Sequence, residues 1–409
     1  MKVKKLSIKI KTVMKKIFAK VILVIQIFFY SPLILIIIIS WPLLKIRIGV
    51  LKTKLLGSVA IAAEVFLCDK KEIYKKNEIF LWFHQEIISN KYLLKKRKEQ
   101  MIFLPRFILL PITIFLYQFK FAHRHIYYQV NYDDKIKRNI IEEEKLRTDQ
   151  NFLKKHGPFI KFSKSETEEG ENYLKNFFIR NNDKIILFGA RTGFYRSSHD
   201  SLRNSDIKLQ IKSMKFVADN GYKAIKMGKE KVGKLNINSK KIFDYTFADY
   251  RSDFLDVFIG SKAKFMVSGD TGLNELVTIM RIPKVIVDFH QFSFMWQLNE
   301  GYVPIILPKK IFSEIKNKYL SYKEIFERKI FDKDSRGMPQ GYKSVDNTED
   351  EILEATKEMI ELIEYQSLDL DFERKKQGNF WNTHANFYES KSGIIISPSF
   401  FKKNIELFK

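Results

Sequence analysis

Apolar and polar positions alternate with two different periods between residues 262 and 289. Residues 263–267 alternate with period two, which predicts a half-buried strand, and 273–280 place apolar side chains at helical spacing. Residues 285–287 predict the next strand. The turn at 268–272, Ser-Gly-Asp-Thr-Gly, joins the first strand to the helix. A glycine-flanked loop before a helix presents backbone N–H groups and suits a phosphate; the alternative is a plain turn with an Asp or Thr cap.

The same strand-to-helix alternation recurs along both halves of the chain. Short connections between such elements predict α/β domains with mostly parallel sheets covered on both faces. The predicted strands are 46–50, 78–83, 184–188, 222–228, 242–247 and 302–307, and the predicted helices are 58–68, 86–99, 207–218, 255–261 and 347–365.

Two apolar stretches bear on the question of a membrane. Residues 1–20 contain eight lysines and no acid, and 21–44 contain no charge, which is long enough to span a bilayer. Pro32 and Pro42, with basic residues on both sides, favour a bent, re-entrant or interfacial anchor over a single crossing; a buried core hairpin is the alternative. The apolar stretch 101–121 follows four cations and suits either a membrane surface or a buried helix.

Composition narrows the class of partner. The chain has 409 residues with 72 Lys and Arg against 47 Asp and Glu, a net charge of +25, which attracts anionic lipids, nucleic acids or phosphorylated substrates. We expect no nucleic-acid partner, because the sequence has no zinc-spaced cysteines and no Arg-rich tail. Cys68 is the only cysteine, so no intrachain disulfide can form.

We divide the chain into four parts. Residues 1–44 form a basic and hydrophobic membrane-associated segment, and 45–182 form an N-terminal Rossmann-like domain with a linker, within which 131–182 contain the connection. Residues 183–365 form a C-terminal Rossmann-like domain, and 366–409 form a C-terminal tail.

Four motifs, in this order, carry a family resemblance: RNSDI (203–207), GYKAIKMG (221–228), DYRSDFLDVFIGSKAKF (249–265) and SGDTGL (268–273). The chain resembles an uncharacterised family of bacterial proteins assigned as glycosyltransferases and associated with surface-polysaccharide genes. The resemblance extends to RIGVLKTKLLGSVAIAAEVFLCD in the N-terminal half and covers most of the chain after the hydrophobic segment. It implies a GT-B-like fold, with two facing Rossmann-type domains and a nucleotide-sugar held chiefly by the C-terminal one.

The resemblance also implies which residues bind the donor. Two positions depart from the family pattern: Thr192 follows the first-loop arginine where the family often has Asp, and Lys226 replaces an arginine, which keeps the charge but loses the bidentate fork. For each arginine the alternative is an ion pair with Asp206 or Asp253. The implied donor-binding residues are Arg191, Arg203, Asn204, Asp206, Lys226, Ser268, Gly269, Asp270, Thr271 and Gly272.

Glycosyl transfer requires stabilisation of a leaving diphosphate and removal of a proton from the acceptor hydroxyl. Arginines, Lys226 and the 269–272 backbone could serve the first need; we expect the carboxylate of Asp270 to turn away from an anion. The catalytic base stays unassigned. The candidates are His199 and Asp200 in the polar loop, with Glu64, His84 and Glu86 in the first domain, where Glu64 is more typical of a structural residue. No His/Cys/Asp cluster has metal-ligand spacing, so we expect a metal-independent site with no cofactor besides the donor.

These observations predict a glycosyltransferase at the cytoplasmic face of the inner membrane, acting on a surface glycan or a lipid-linked acceptor. Two alternatives stay open. One is another enzyme on the same scaffold, such as a nucleotide-sugar epimerase or a pyruvyl transferase. The other is a non-catalytic scaffold of polysaccharide assembly, since fold does not fix function.

Overall fold

The computed structural model of the chain describes residues 21–22, 24–127, 152–180, 182–192, 202–229, 231, 233–293, 302–331, 338–388 and 393–409. The chain divides into two compact units, Met1–Asn139 and Ile140–Lys409, here called unit 1 and unit 2. The division falls within 131–182, the range that the sequence indicates for the connection. Both units contain a parallel β-sheet with helices, which confirms the α/β class.

The sheet of unit 1 has four strands, β1 (Lys45–Leu51), β2 (Glu78–His84), β3 (Ile102–Phe103) and β4 (Ile126–Tyr127). They lie in the order β3-β2-β1-β4, and every pair is parallel. The described helices are α1 (24–39), α2 (Ala63–Glu72), α3 (Lys91–Lys98) and α4 (Arg106–Tyr117), with a π-turn at Ser58–Ala62 and a 3-10 turn at Lys120–His125.

Local chemistry sets where the helices of unit 1 begin. The predicted helix 86–99 begins only at Lys91, because the Asn90 side chain accepts a hydrogen bond from the Leu93 N–H and caps the first turn. The stretch 101–121 contains α4, which packs into the unit with Leu109 and Ile112 buried.

None of the helices in the described part of the chain has both the length and the apolarity needed to cross a membrane.

Unit 2 is built on seven parallel strands, in the order β14-β10-β9-β8-β5-β6-β7. A smaller antiparallel sheet, in the order β12-β11-β13, accompanies it. The strands are β5 (Ile185–Gly189), β6 (Lys223–Met227), β7 (Ile242–Asp244), β8 (Ala263–Ser268), β9 (Lys284–Phe289), β10 (Ile305–Pro308), β11 (Lys310–Ser313), β12 (Lys318–Tyr319), β13 (Tyr342–Val345) and β14 (Ile395–Ile396).

Side-chain caps fix the first turns of several helices in unit 2. Ser252 caps the helix within 249–265, and Thr348 forms a capping box with Glu351. The described helices are α5 (Phe152–Lys155), α6 (Lys164–Lys175), α7 (Ile211–Asp219), α8 (Asp253–Lys262), α9 (Leu273–Ile279), α10 (Tyr322–Glu327), α11 (Glu349–Ile360), α12 (Leu370–Lys376), α13 (Gly378–Ala385) and α14 (Pro398–Lys403).

The tail predicted at 366–409 contributes to the fold of unit 2. Its strand β14 pairs with β10 at the edge of the large sheet, through Ile305–Ile395 and Ile306–Ile396. Phe380, Trp381 and Phe400 of the same stretch are buried in a core that also contains Phe292 and Phe326.

The order of the strands places a switch point in unit 2. From β5 the chain proceeds through β6 to β7 on one side, and then returns to the other side of β5 with β8 and β9. In open parallel sheets, ligands bind in the crevice outside the carboxyl ends of the strands at such a reversal. We therefore expect a ligand-binding site at the carboxyl ends of β5 and β8.

Candidate functional site

The loops that follow β5 and β8 meet at the switch point. Gly189 and Ser268 are paired at the ends of these strands, and the Gly269 N–H donates to the Gly189 carbonyl at 3.1 Å. The Gln210 side-chain amide donates to the same carbonyl at 2.9 Å. The topology thus brings together two segments, near 189–192 and 268–272, that the sequence identifies separately.

Ser205 connects the two loops through contacts on both sides. Its N–H donates to the Arg191 carbonyl at 3.0 Å, and its hydroxyl lies close to Gly269. A Cβ at position 269 would lie 2.3 Å from the Ser205 Oγ, so the approach requires glycine there. The Ser205 Oγ is buried and has no hydrogen-bond partner among the described residues.

Arg203 and Asp270 form a two-point ion pair across these loops. The distances are 2.6 Å from Nε to Oδ2 and 3.2 Å from Nη2 to Oδ1, and both side chains are partly exposed. A bidentate pair fixes the orientation of the guanidinium as well as its position. The Asp270 carboxylate, whose charge this contact neutralises, is a partner of Arg203 that the alternatives from the sequence, Asp206 and Asp253, did not include.

Hydrogen bonds within the 268–274 segment hold its backbone. The Ser268 hydroxyl donates to the Asn274 side chain, whose amide donates to the Gly269 carbonyl at 3.0 Å. The buried Lys284 ammonium donates to the Asn274 carbonyl at 3.0 Å. Burial lowers the pKa of Lys284, and the charges of Glu275 and Asp270 oppose that effect. At 3.5 Å, the Thr271 hydroxyl accepts from the Leu273 N–H.

The strands on the other side of β8 bring charged groups to the same edge, and no local pattern in the sequence indicates these groups. The buried Lys309 ammonium, after β10, donates to the Asn204 carbonyl at 2.6 Å and pairs with Asp346 at 2.9 Å. Asp288 near the end of β9 exchanges hydrogen bonds with Asn347, at 2.6 and 2.7 Å. Burial raises the pKa of Asp288 to about 7, Asp346 adds to the rise, and Lys309 opposes it.

Two of the implied donor residues take part in local structure. The Lys226 ammonium is buried and donates to the Gly233 carbonyl at 2.7 Å and to Asp244 at 3.0 Å. Burial lowers the pKa of Lys226, and Asp244 partly restores it. The Asp206 carboxylate accepts from the Lys208 N–H at 2.9 Å and caps a 3-10 turn. Their roles in donor binding remain predictions.

The candidate bases have different outcomes. Glu64 is buried and pairs with Arg97 at 2.8 Å, as expected of a structural residue. Glu86 pairs with Arg106, and His84 Nδ1 lies 2.7 Å from the Gln85 carbonyl. His199 and Asp200 lie outside the described residues. Within the described ranges, no three or more His, Cys, Asp or Glu side chains are grouped as a metal site would need, and the metal-independent chemistry remains a prediction.

Comparison with models of known protein families gives no match, and comparison with curated proteins gives none either. Several solved structures are similar. ADP-heptose lps heptosyltransferase II of E. coli is 13% identical with a TM-score of 0.35, over 59% of this chain and 84% of that one. A glycosyl transferase family 9 protein from Veillonella parvula is 11% identical with a TM-score of 0.38, over 60% and 80% of the two chains. The E. coli heptosyltransferase WaaC, solved with ADP-2-deoxy-2-fluoro heptose, is 14% identical with a TM-score of 0.30, over 59% and 88%.

Proposed function

We propose that the chain is a glycosyltransferase that binds a nucleotide-sugar at the carboxyl edge of the large sheet in unit 2. The observation that carries the proposal is the meeting of the β5 and β8 loops at the switch point of that sheet. Of the residues that the family resemblance implies for donor binding, Arg203 pairs directly with Asp270, and the Arg191 carbonyl accepts from the N–H of Ser205, whose hydroxyl lies close to Gly269.

The proposed reaction breaks the bond between the anomeric carbon and the donor diphosphate, and the electron pair leaves with the diphosphate oxygen. A bond forms from an acceptor hydroxyl to the anomeric carbon, and the hydroxyl proton is lost. Negative charge grows on the leaving diphosphate, and cations with fixed geometry stabilise it best. Arg203, held by Asp270, and Arg191 are proposed for this role, together with the 269–272 backbone.

The acceptor belongs to the proposal as well. We propose that the acceptor is a surface glycan or a lipid-linked glycan and that unit 1 contains the residues that bind it. The catalytic base stays unassigned. Because the Asp270 carboxylate is already occupied by Arg203, we assign it the positioning of that guanidinium and not proton removal.

A binding screen tests the donor site. The protein, purified in mild detergent, is melted with UDP-, GDP-, ADP- and CMP-sugars, in parallel with Arg191→Ala and Arg203→Ala. We expect a rise in Tm for one nucleotide class that both variants lose, since ligands that bind only the folded state stabilise it. Lys215→Ala is the matched control, because Lys215 is an exposed cation on α7. The proposal would be contradicted if no donor raised the Tm of the wild type, or if a donor raised the Tm of both arginine variants as much as that of the wild type.

Turnover separates the alternatives that share this scaffold. A glycosyltransferase releases nucleoside diphosphate in step with acceptor glycosylation. A nucleotide-sugar epimerase would convert the bound sugar without an acceptor, a pyruvyl transferase would require an enolpyruvate donor, and a scaffold would bind without turnover.

A further inference from the structure

Exposed apolar side chains are concentrated in one part of unit 1. Of the 25 large apolar side chains that are exposed among the described residues, 18 lie in unit 1, and 11 of these lie within residues 21–43. Phe28, Phe29 and Leu43 are 82%, 75% and 84% exposed. Contiguous apolar surface of this kind marks an interaction site, whereas single exposed apolar residues need no explanation.

Helix α1 carries most of this surface, and its two sides differ. Ile34 and Ile37 are buried against Leu109, Ile112 and Leu116 of unit 1. Ile27, Tyr30 and Ile38 pack more loosely on the same core, so this side of the helix follows helical spacing. The outward side contains Val24, Ile25, Phe28, Phe29, Leu35, Ile36 and Ile39. The helix therefore lies along unit 1 and presents an uncharged apolar face outward.

Cations gather at the end of α1. The charged groups of Lys45, Arg47 and Arg124 lie 5.8, 5.6 and 5.0 Å from the centre of the Trp41 ring. Burial lowers the pKa of the neighbouring His125, and the charges of Arg124 and Arg47 lower it further. Tryptophan with adjacent cations is typical of the boundary between lipid tails and headgroups.

The same end of unit 1 combines further aromatic and basic side chains. Phe119 and Phe121 are 41% and 59% exposed on either side of the exposed Lys120. In sequence, the 1–20 segment, with its eight lysines and no acid, precedes α1 by three residues. An apolar helix face bordered by cations matches the chemistry of an anionic bilayer surface. A second copy of a chain with a net charge of +25 would bring like charges together at this face.

We propose that unit 1 docks on a membrane containing anionic lipid, with α1 in the plane of the interface. The outward side chains of α1 insert between the lipids, Trp41 lies at headgroup depth, and Lys45 and Arg124 contact lipid phosphates. The bilayer then covers apolar surface that would otherwise face water. The docking depends on unit 1 alone, so it stands or falls separately from the donor site proposed in unit 2.

Vesicle co-sedimentation tests the docking with the full chain. Phosphatidylcholine vesicles with and without phosphatidylglycerol are compared for the wild type and for Phe28→Ser/Phe29→Ser. We expect binding that requires phosphatidylglycerol and weakens by about a hundredfold in the double variant, since each inserted Phe contributes through its buried apolar area. The matched control is Tyr365→Ser/Phe372→Ser, because both side chains are exposed in unit 2 at 72% and 56%.

Further measurements address the headgroup contacts and the competing occupant. Brominated lipid should quench the tryptophan fluorescence of the wild type. It should quench the fluorescence of Trp41→Phe less, because this variant lacks the tryptophan proposed to lie at headgroup depth. Arg124→Glu should weaken binding more than Lys402→Glu, a charge reversal at an exposed residue of α14. Equal vesicle binding by wild type and Phe28→Ser/Phe29→Ser would overturn the proposal. So would a wild-type dimer in vesicle-free buffer that this variant dissociates, because a second copy would then cover the face.

Discussion

Glu358 illustrates how single buried side chains in this protein couple stability to pH. It lies buried on α11, and its Oε1 accepts from the Ser399 N–H at 2.8 Å. Burial raises the pKa of Glu358 to about 7, and hydrogen bonds from Ser397 and Ser399 only partly oppose the rise. The folded state therefore retains this proton at pH values where an unfolded chain has lost it.

We predict that Glu358→Gln stabilises the protein at neutral pH and above. The contribution of the wild-type carboxyl is fully present below pH 4.5, its ordinary pKa, and is lost as the pH rises through about 7. Gln keeps the acceptor for Ser399 without the buried charge, so the gain should reach about 1–3 kcal/mol above pH 7 and vanish near pH 4. Denaturant unfolding of both proteins across this pH range measures the difference.

The control for this prediction is Glu354→Gln. Glu354 lies on the same helix, is partly exposed and pairs with Lys357 at 2.7 Å, so its replacement should change the free energy of unfolding only slightly. A difference between Glu358→Gln and wild type that is constant with pH would show that the carboxyl does not titrate as its burial indicates.

At the scale of elements, the close approach of the β5 and β8 loops makes a stability prediction. Gly269→Ala should destabilise unit 2 by about 1–3 kcal/mol, because the new Cβ would lie 2.3 Å from the Ser205 Oγ and 3.2 Å from its Cβ. Removal of the hydroxyl relieves the shorter contact, so Gly269→Ala/Ser205→Ala should recover much of the loss. Thermal melts of the wild type, Gly269→Ala, Ser205→Ala and the double variant form a double-mutant cycle. Additive changes in stability would show that the two residues are not in contact.

Elements with long apolar runs were predictable, and elements fixed by distant partners were not. The strands near 46–50, 184–188, 222–228 and 263–267 are confirmed, and each lies inside its sheet with a neighbour on both sides. The strand at 263–267 was predicted to be half-buried, but only Lys264 is exposed, because parallel sheets are covered on both faces. The strand predicted at 242–247 ends at Asp244, whose carboxylate accepts from the Leu235 N–H and pairs with Lys226. The two-residue strand β14 exists only through its pairing with β10, which no local pattern indicates.

In the candidate site, too, local features were predictable from the sequence and contacts between distant residues were not. Sequence motifs identify the loops near 191 and 268–272, since glycine and polar clusters after strands are visible locally. The pairing of Arg203 with Asp270 joins residues 67 positions apart, and the contact of Lys309 with Asn204 joins residues 105 apart. Such contacts depend on the order of strands in the sheet, and that order is a property of the complete fold.

At the scale of the whole molecule, the two proposed activities belong to different units. The donor site uses residues of unit 2, and the apolar face and its cations belong to unit 1. A net charge of +25 adds long-range attraction to anionic surfaces but does not choose between the two sites. Variants that affect one activity and leave the other intact therefore separate the two proposals.

We predict that Phe28→Ser/Phe29→Ser lowers turnover of a lipid-linked acceptor in vesicles while the donor-dependent rise in Tm stays unchanged. Arg203→Ala should show the reverse, with donor binding lost and vesicle binding retained, because Arg203 is a residue of unit 2. A lost donor response in Arg203→Ala with intact docking supports both proposals. If the wild type binds vesicles but no donor raises its Tm, the proposed glycosyltransferase function is rejected and the proposed membrane docking is retained. Loss of both activities in Phe28→Ser/Phe29→Ser would contradict their separation.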